Sequence, residues 1–84
     1  VPDFARATVT TTLARGVERT PGVYHGEAVL AGTRFPTATI GQMVLDDGYL
    51  PEQVRGWWSW MTAKQVRAGL AYERRLRRER KKRA

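Results

Sequence analysis

The chain contains no cysteine and a single histidine, His25. Without cysteine there is no disulfide framework, no thiolate nucleophile and no sulfur-ligated metal. One imidazole cannot make a histidine cluster. Long apolar runs are also missing: nothing approaches the roughly 20 residues that cross a bilayer, and no secretory leader pattern is visible. Gly32-Thr33-Arg34 is the nearest thing to a phosphate loop, and it is too short to be one. Asp46 and Asp47 are adjacent, and neighbouring side chains on a helix point apart, so they read as a helix end rather than a paired-carboxylate site. These absences leave a non-enzymatic, cytoplasmic protein that needs no metal and no cofactor and has no membrane partner.

What is present is a strongly uneven charge. The chain of 84 residues makes at most one domain. So short a chain buries a modest share of its surface, and dimerisation is a common remedy. Residues 1–73 hold seven Lys/Arg and seven Asp/Glu, whereas residues 74–83, "RRLRRERKKR", hold eight basic residues and one acidic one. The whole net charge of +7 therefore sits at the C-terminal end. A solvated tail and a contact for nucleic-acid phosphates are both consistent with such a block.

The pattern along the chain changes period once. Residues 4–13, "FARATVTTTL", alternate and carry four threonines and a valine, which predicts a strand. Residues 17–20 and 27–31 are further short strand candidates, separated by the turn signal "TPG". From Pro36 the period becomes helical. Thr37 or Thr39 is placed to cap a helix bearing Ile40, Met43, Val44 and Leu45, and Gly48 ends it. A second helix starts at Pro51, with Glu52 in its first turn. "TAKQ" at 62–65 is a capping box that opens a third. There Ala63, Val66 and Leu70 form the buried stripe, burial should fade at Glu73, and the basic end should fray. The first strand has no partner in a three-helix core. It is expected to join residues 27–31 in a small sheet and to favour a symmetric homodimer.

Pro21, Gly22, Gly26, Val29, Leu30, Gly32, Thr33, Arg34, Pro36 and Ile40 occur in order, followed by Gly48, "PEQV" at 51–54, Trp58, Met61-Thr62 and "VRAGLAY" at 66–72. Over residues 17–73 this resembles the DUF433 family, with His25 where glycine is usual, Ala28 where proline is usual, and Leu50 at the usual Ser/Thr cap. The resemblance implies a homeodomain-like or winged-helix-like three-helix core behind a short β segment. It also implies antitoxin-like DNA binding beside toxins of the PIN ribonuclease type. The fold expected is mainly α: residues 1–16 an N-terminal strand extension, 17–73 a helix-turn-helix domain, and 74–84 a basic helical extension.

Two consecutive helices joined by "SWMT", residues 59–62, suit a helix-turn-helix whose third helix enters the major groove. Its exposed face would carry Lys64, Gln65, Arg67, Ala68, Ala71 and Arg74. Arg67 would meet guanine and Gln65 adenine, unless its own capping box uses Gln65 up, while Lys64 would meet phosphate. Arg74, Arg75, Arg78, Lys81 and Lys82 would extend the contact along the backbone. Arg34, at the Gly-Thr-Arg elbow, either contacts phosphate or a partner's acid, or ties carbonyls at a helix C-terminus or pairs with Asp46 or Asp47. The expected function is thus a dimeric antitoxin or transcriptional repressor bound to double-stranded DNA. "GWWSWMT" supports a second reading. Trp58 belongs to the core, but so small a domain has little room for Trp57 and Trp60. Exposed, they would dock a PIN-type toxin, another partner or a second copy, with no sequence-specific DNA binding. A third reading is an accessory factor that binds nucleic acid through the tail alone.

Overall fold

The computed structural model describes residues 9–83, as a small antiparallel sheet followed by three helices. The strands are β1 (Thr11–Ala14), β2 (Val17–Arg19) and β3 (Val29–Leu30), in sheet order β1-β2-β3. The helices are α1 (Thr37–Gly41), which runs on into a wider π-type turn over Gln42–Asp46, then α2 (Pro51–Trp57) and α3 (Ala63–Arg83).

The fold is therefore α+β, not mainly α. The order of elements is as expected, but the strands are more than a prelude to the helices. They form one sheet whose Val17, Val29 and Leu30 are buried as deeply as any helical residue. Strands of two to four residues give the alternation signal too few repeats to show how much of the core they supply. The strand predicted over 4–13 is seen over Thr11–Ala14, with residues 4–8 outside the described residues. It shares a sheet with residues 29–30, as expected, but β2 lies between them.

The elbow at 28–36 is a tight reversal. Leu30 N–H donates to the Phe35 carbonyl at 2.9 Å, and Val29 pairs with Pro36. Gly32 takes φ +76°, which an L side chain resists. Thr33 locks the turn from both sides: its hydroxyl donates to Leu30 O at 2.8 Å and accepts Phe35 N–H at 3.0 Å. His25, where the related pattern has glycine, also stands in the left-handed region, at φ 58°.

Helix starts follow the sequence at two of three places. At α3, Thr62 and Gln65 make the predicted box, with Gln65 N–H to Thr62 Oγ1 at 3.1 Å and Thr62 N–H to Gln65 Oε1 at 2.8 Å. At α2, Leu50 has no side-chain acceptor, yet Gln53 Oε1 still accepts its N–H at 2.7 Å. At α1 neither Thr37 nor Thr39 caps; Pro36 holds the cap position without a side-chain bond. Thr37 is instead buried, donating to Glu73 Oε2 at 2.9 Å.

Leu30, Ile40, Val54, Met61, Val66 and Leu70 form the core, flanked by Phe35, Met43, Val44, Leu45 and Trp58. Trp58 is half-buried, edge-on to Phe35 at 4.7 Å between ring centroids. α1 and α3 cross through two glycines. A Cβ on Gly69 would stand 2.7 Å from Ile40 Cδ1 and 3.2 Å from Leu30 Cδ2, and one on Gly41 would stand 2.6 Å from Glu73 Oε1. Gly69→Val is thus expected to lose about 2 kcal/mol, because overpacking outweighs the few tenths that valine gains as a helix former. A urea-unfolding midpoint measured beside wild type checks this.

Burial does not fade at Glu73, and α3 does not fray after it. Glu73 is only 6% exposed. Its Oε1 accepts from Arg77 Nη1 at 3.1 Å, and Arg77 Nη2 reaches Asp46 Oδ2 at 2.8 Å. This chain of Thr37, Glu73, Arg77 and Asp46 ties α3 to both ends of the α1 segment. Periodicity alone could not show it, because the pattern marks apolar positions and this one is polar.

Candidate nucleic-acid interface

α3 presents its cations as a stripe. Lys64, Arg67, Arg74, Arg75, Arg78, Lys81 and Lys82 are all exposed, and at 3.6 residues per turn they fall within about a third of the helix circumference. At 1.5 Å per residue, Lys64 to Lys82 spans about 27 Å. Val66, Gly69, Leu70 and Glu73 take the opposite side and are buried.

Beside the first half of the stripe lies a groove of ≈ 560 Å³. Its floor is small and apolar, made by Ala14, Gly16, Ala31, Ala68 and Ala71. Its walls carry Arg15 on one side and Lys64, Arg67 and Arg78 on the other, and among the described residues no carboxylate lines it. The groove exists because the β1–β2 turn is clamped against α3. Gly16 approaches so closely that a Cβ there would lie 2.9 Å from Ala68 Cβ. Its carbonyl accepts Ala31 N–H at 2.9 Å. Arg75 Nη2 donates to Leu13 O at 3.1 Å, holding β1 to the same helix.

The structure thus brings Lys64, Gln65, Arg67, Arg75 and Arg78 to one groove, but gives two of them other work. Gln65 has committed its carboxamide oxygen to the Thr62 cap. Bidentate pairing with adenine needs that oxygen as well as the amide nitrogen, so the base contact expected of Gln65 is not open to it in this arrangement. Arg75 holds β1 and lies over the Tyr72 ring at 5.2 Å; its approach to Glu79, 3.8 Å on the open surface, adds little. Ala68 is partly covered by the turn, while Ala71 is exposed. Arg74, Lys81 and Lys82 lie on the stripe outside the groove.

Arg34 is exposed at the tip of the 31–34 loop and does not line the groove. Asp46, one of its expected partners, is taken by Arg77 instead. Partial burial draws the Arg77 pKa down, but hydrogen bonds and charge from Asp46 and Glu73 draw it up further, so it ends above its ordinary value. Two groove residues escaped the sequence reading, Arg15 and Tyr72. Arg15 is signalled only by the Arg-Gly pair at a turn, and nothing in the sequence says which helix the turn meets.

Away from the groove, Trp57 and Trp60 are 55% and 49% exposed. Rings follow one another in edge-on contact from Tyr49 to Trp57 at 5.0 Å, Trp57 to Trp58 at 6.4 Å and Phe35 to Trp60 at 5.8 Å. Among the described residues no grouping of His, Asp and Glu could hold a metal ion, and no helix is long and apolar enough to cross a membrane.

No curated protein and no solved structure matches the chain. Residues 17–72 match the model of the family described as "Protein of unknown function (DUF433)". That span takes in all of β2, β3, α1 and α2, and α3 as far as Tyr72, which makes the chain a member of the DUF433 family.

Proposed function

We propose that the protein binds double-stranded DNA, as an antitoxin or transcriptional repressor acting in the cytoplasm. The observation that carries the reading is the groove with Lys64, Arg67 and Arg78 along one wall and no carboxylate among the described residues that line it, continued by Arg74, Lys81 and Lys82 on the same side of α3. In this reading the first turns of α3 enter the major groove. Arg67, exposed and with no protein partner among the described residues, contacts guanine, and the later cations meet phosphate. β1 pairs only with β2 among the described residues, so its outer edge is open to a second copy and a two-fold dimer on a repeated half-site.

The test is a gel shift at about 0.15 M salt with excess nonspecific competitor, using DNA from upstream of the protein's own gene. A discrete complex is expected. Arg67→Ala should weaken it about 5- to 150-fold, the equivalent of about 1–3 kcal/mol for one good base contact. A complex indifferent to Arg67→Ala removes α3 as the reader of sequence.

The exposed ring series supports a second reading, in which Trp57 and Trp60 dock a protein such as a PIN-type toxin. Contiguous exposed apolar patches mark contact surfaces, where single exposed side chains do not. The expected sign of it is a complex lost in the Trp57→Ala/Trp60→Ala variant with DNA binding intact.

A further inference from the structure

We infer that Arg15 is a second, separate DNA contact, and that the groove between the β1–β2 turn and α3 takes one sugar–phosphate strand of the duplex. This rests on the DNA-binding reading above and adds to it a site off the recognition helix.

Three observations carry it. First, the turn is held in place. Gly16, at φ +76°, packs on Ala68, its carbonyl takes the Ala31 N–H at 2.9 Å, and Arg75 grips the neighbouring Leu13 carbonyl at 3.1 Å. Second, the residue that this scaffold presents is an exposed arginine with no partner among the described residues. Third, the space between Arg15 and the Lys64–Arg67–Arg78 wall has an alanine and glycine floor and, among the described residues, no carboxylate. Small apolar side chains let a sugar face lie close. Arg15 on one wall and Lys64 and Arg78 on the other neutralise the phosphates that flank it, while Arg67 is left to the base. A helix in the major groove has a backbone strand running along each side, so an element clamped beside that helix is where such a strand passes. Contacts of this kind set position and affinity but carry no base information.

The test uses the full chain and a short duplex of random sequence. Binding is titrated between about 50 and 200 mM salt for wild type, Arg15→Ala and Arg15→Lys. The log–log slope should flatten by about 0.9 in Arg15→Ala and keep its wild-type value in Arg15→Lys. The loss of affinity should be equal on random and upstream DNA. An Arg15→Ala slope equal to wild type overturns the inference while leaving the DNA reading intact. Failure of the wild type itself to bind overturns both. Because the chain has no cysteine, Arg15→Cys also offers one thiol for a tethered DNA-cleaving iron chelate. Strand scission should fall on backbone beside the positions cut from Lys64→Cys. Cutting from 64 with none from 15 overturns the inference even if Arg15→Ala fails to fold.

Discussion

Glu73→Ala should lower stability by about 2–3 kcal/mol, and the melting temperature by roughly 10–20 °C for a domain of this size. Glu73 is 6% exposed and joins Thr37 on α1 to Arg77 on its own helix. Truncation leaves the buried Thr37 hydroxyl without its acceptor and opens space beside Gly41. It also strips Arg77 of one of its two carboxylates. An orphaned buried hydroxyl costs about 1–3 kcal/mol. Breaking a fully buried ion pair costs about 3–5, but Arg77 is 30% exposed and keeps Asp46, so only part of that applies. Alanine's better helix propensity returns a few tenths. Thermal melts followed by circular dichroism check the value. In a double-mutant cycle Thr37→Val and Glu73→Ala should be strongly non-additive; additive losses would show that the two side chains act independently.

Ending the chain after Arg77 should have the largest effect on DNA binding. The cut removes Arg78, Arg80, Lys81, Lys82 and Arg83 with a single acid, Glu79. Three of the cations, Arg78, Lys81 and Lys82, lie on the stripe that begins at Lys64. If each meets a phosphate, the salt slope flattens by about 2.7, from about 0.9 per contact. Between about 50 and 200 mM salt the wild type should then lose about 40-fold more affinity than the truncated chain. Preference between upstream and random DNA should be unchanged, because phosphate contacts are blind to sequence. The melting temperature should hold, since the core ends at Tyr72 and Glu73, and Arg77 is kept. A slope that does not move would place the tail in solvent.

Much of this molecule can be read from its sequence, for physical reasons that differ by region. α2 and α3 announce themselves through Pro51 and the Thr62/Gln65 box, because capping is decided within four residues. The elbow at Gly32-Thr33-Arg34 is equally local, since Thr33 ties its own neighbours. What the sequence hides is non-local. Nothing near Thr37 says that its hydroxyl serves a carboxylate 36 residues away rather than its own helix. Nothing near Gly16 says that it meets Ala68. The candidate site follows the same division. The cations of α3 are visible as a stripe, and the Thr62 box already claims Gln65, but Arg75 is drawn into structural work by Leu13, a partner that only folding brings near. Arg15 joins the site in the same way.

α3 belongs to two regimes along its length. Its first three turns are anchored by the core, so nucleation, the costly step of helix formation, is complete before the chain reaches Arg78. Beyond Arg77 each further residue needs only propagation, which is close to neutral in free energy. There a row of like charges works against elongation. Counterions or a polyanion that neutralise this row should therefore strengthen the last turns of α3. The domain beneath, fastened through Arg77 to Asp46, registers none of this.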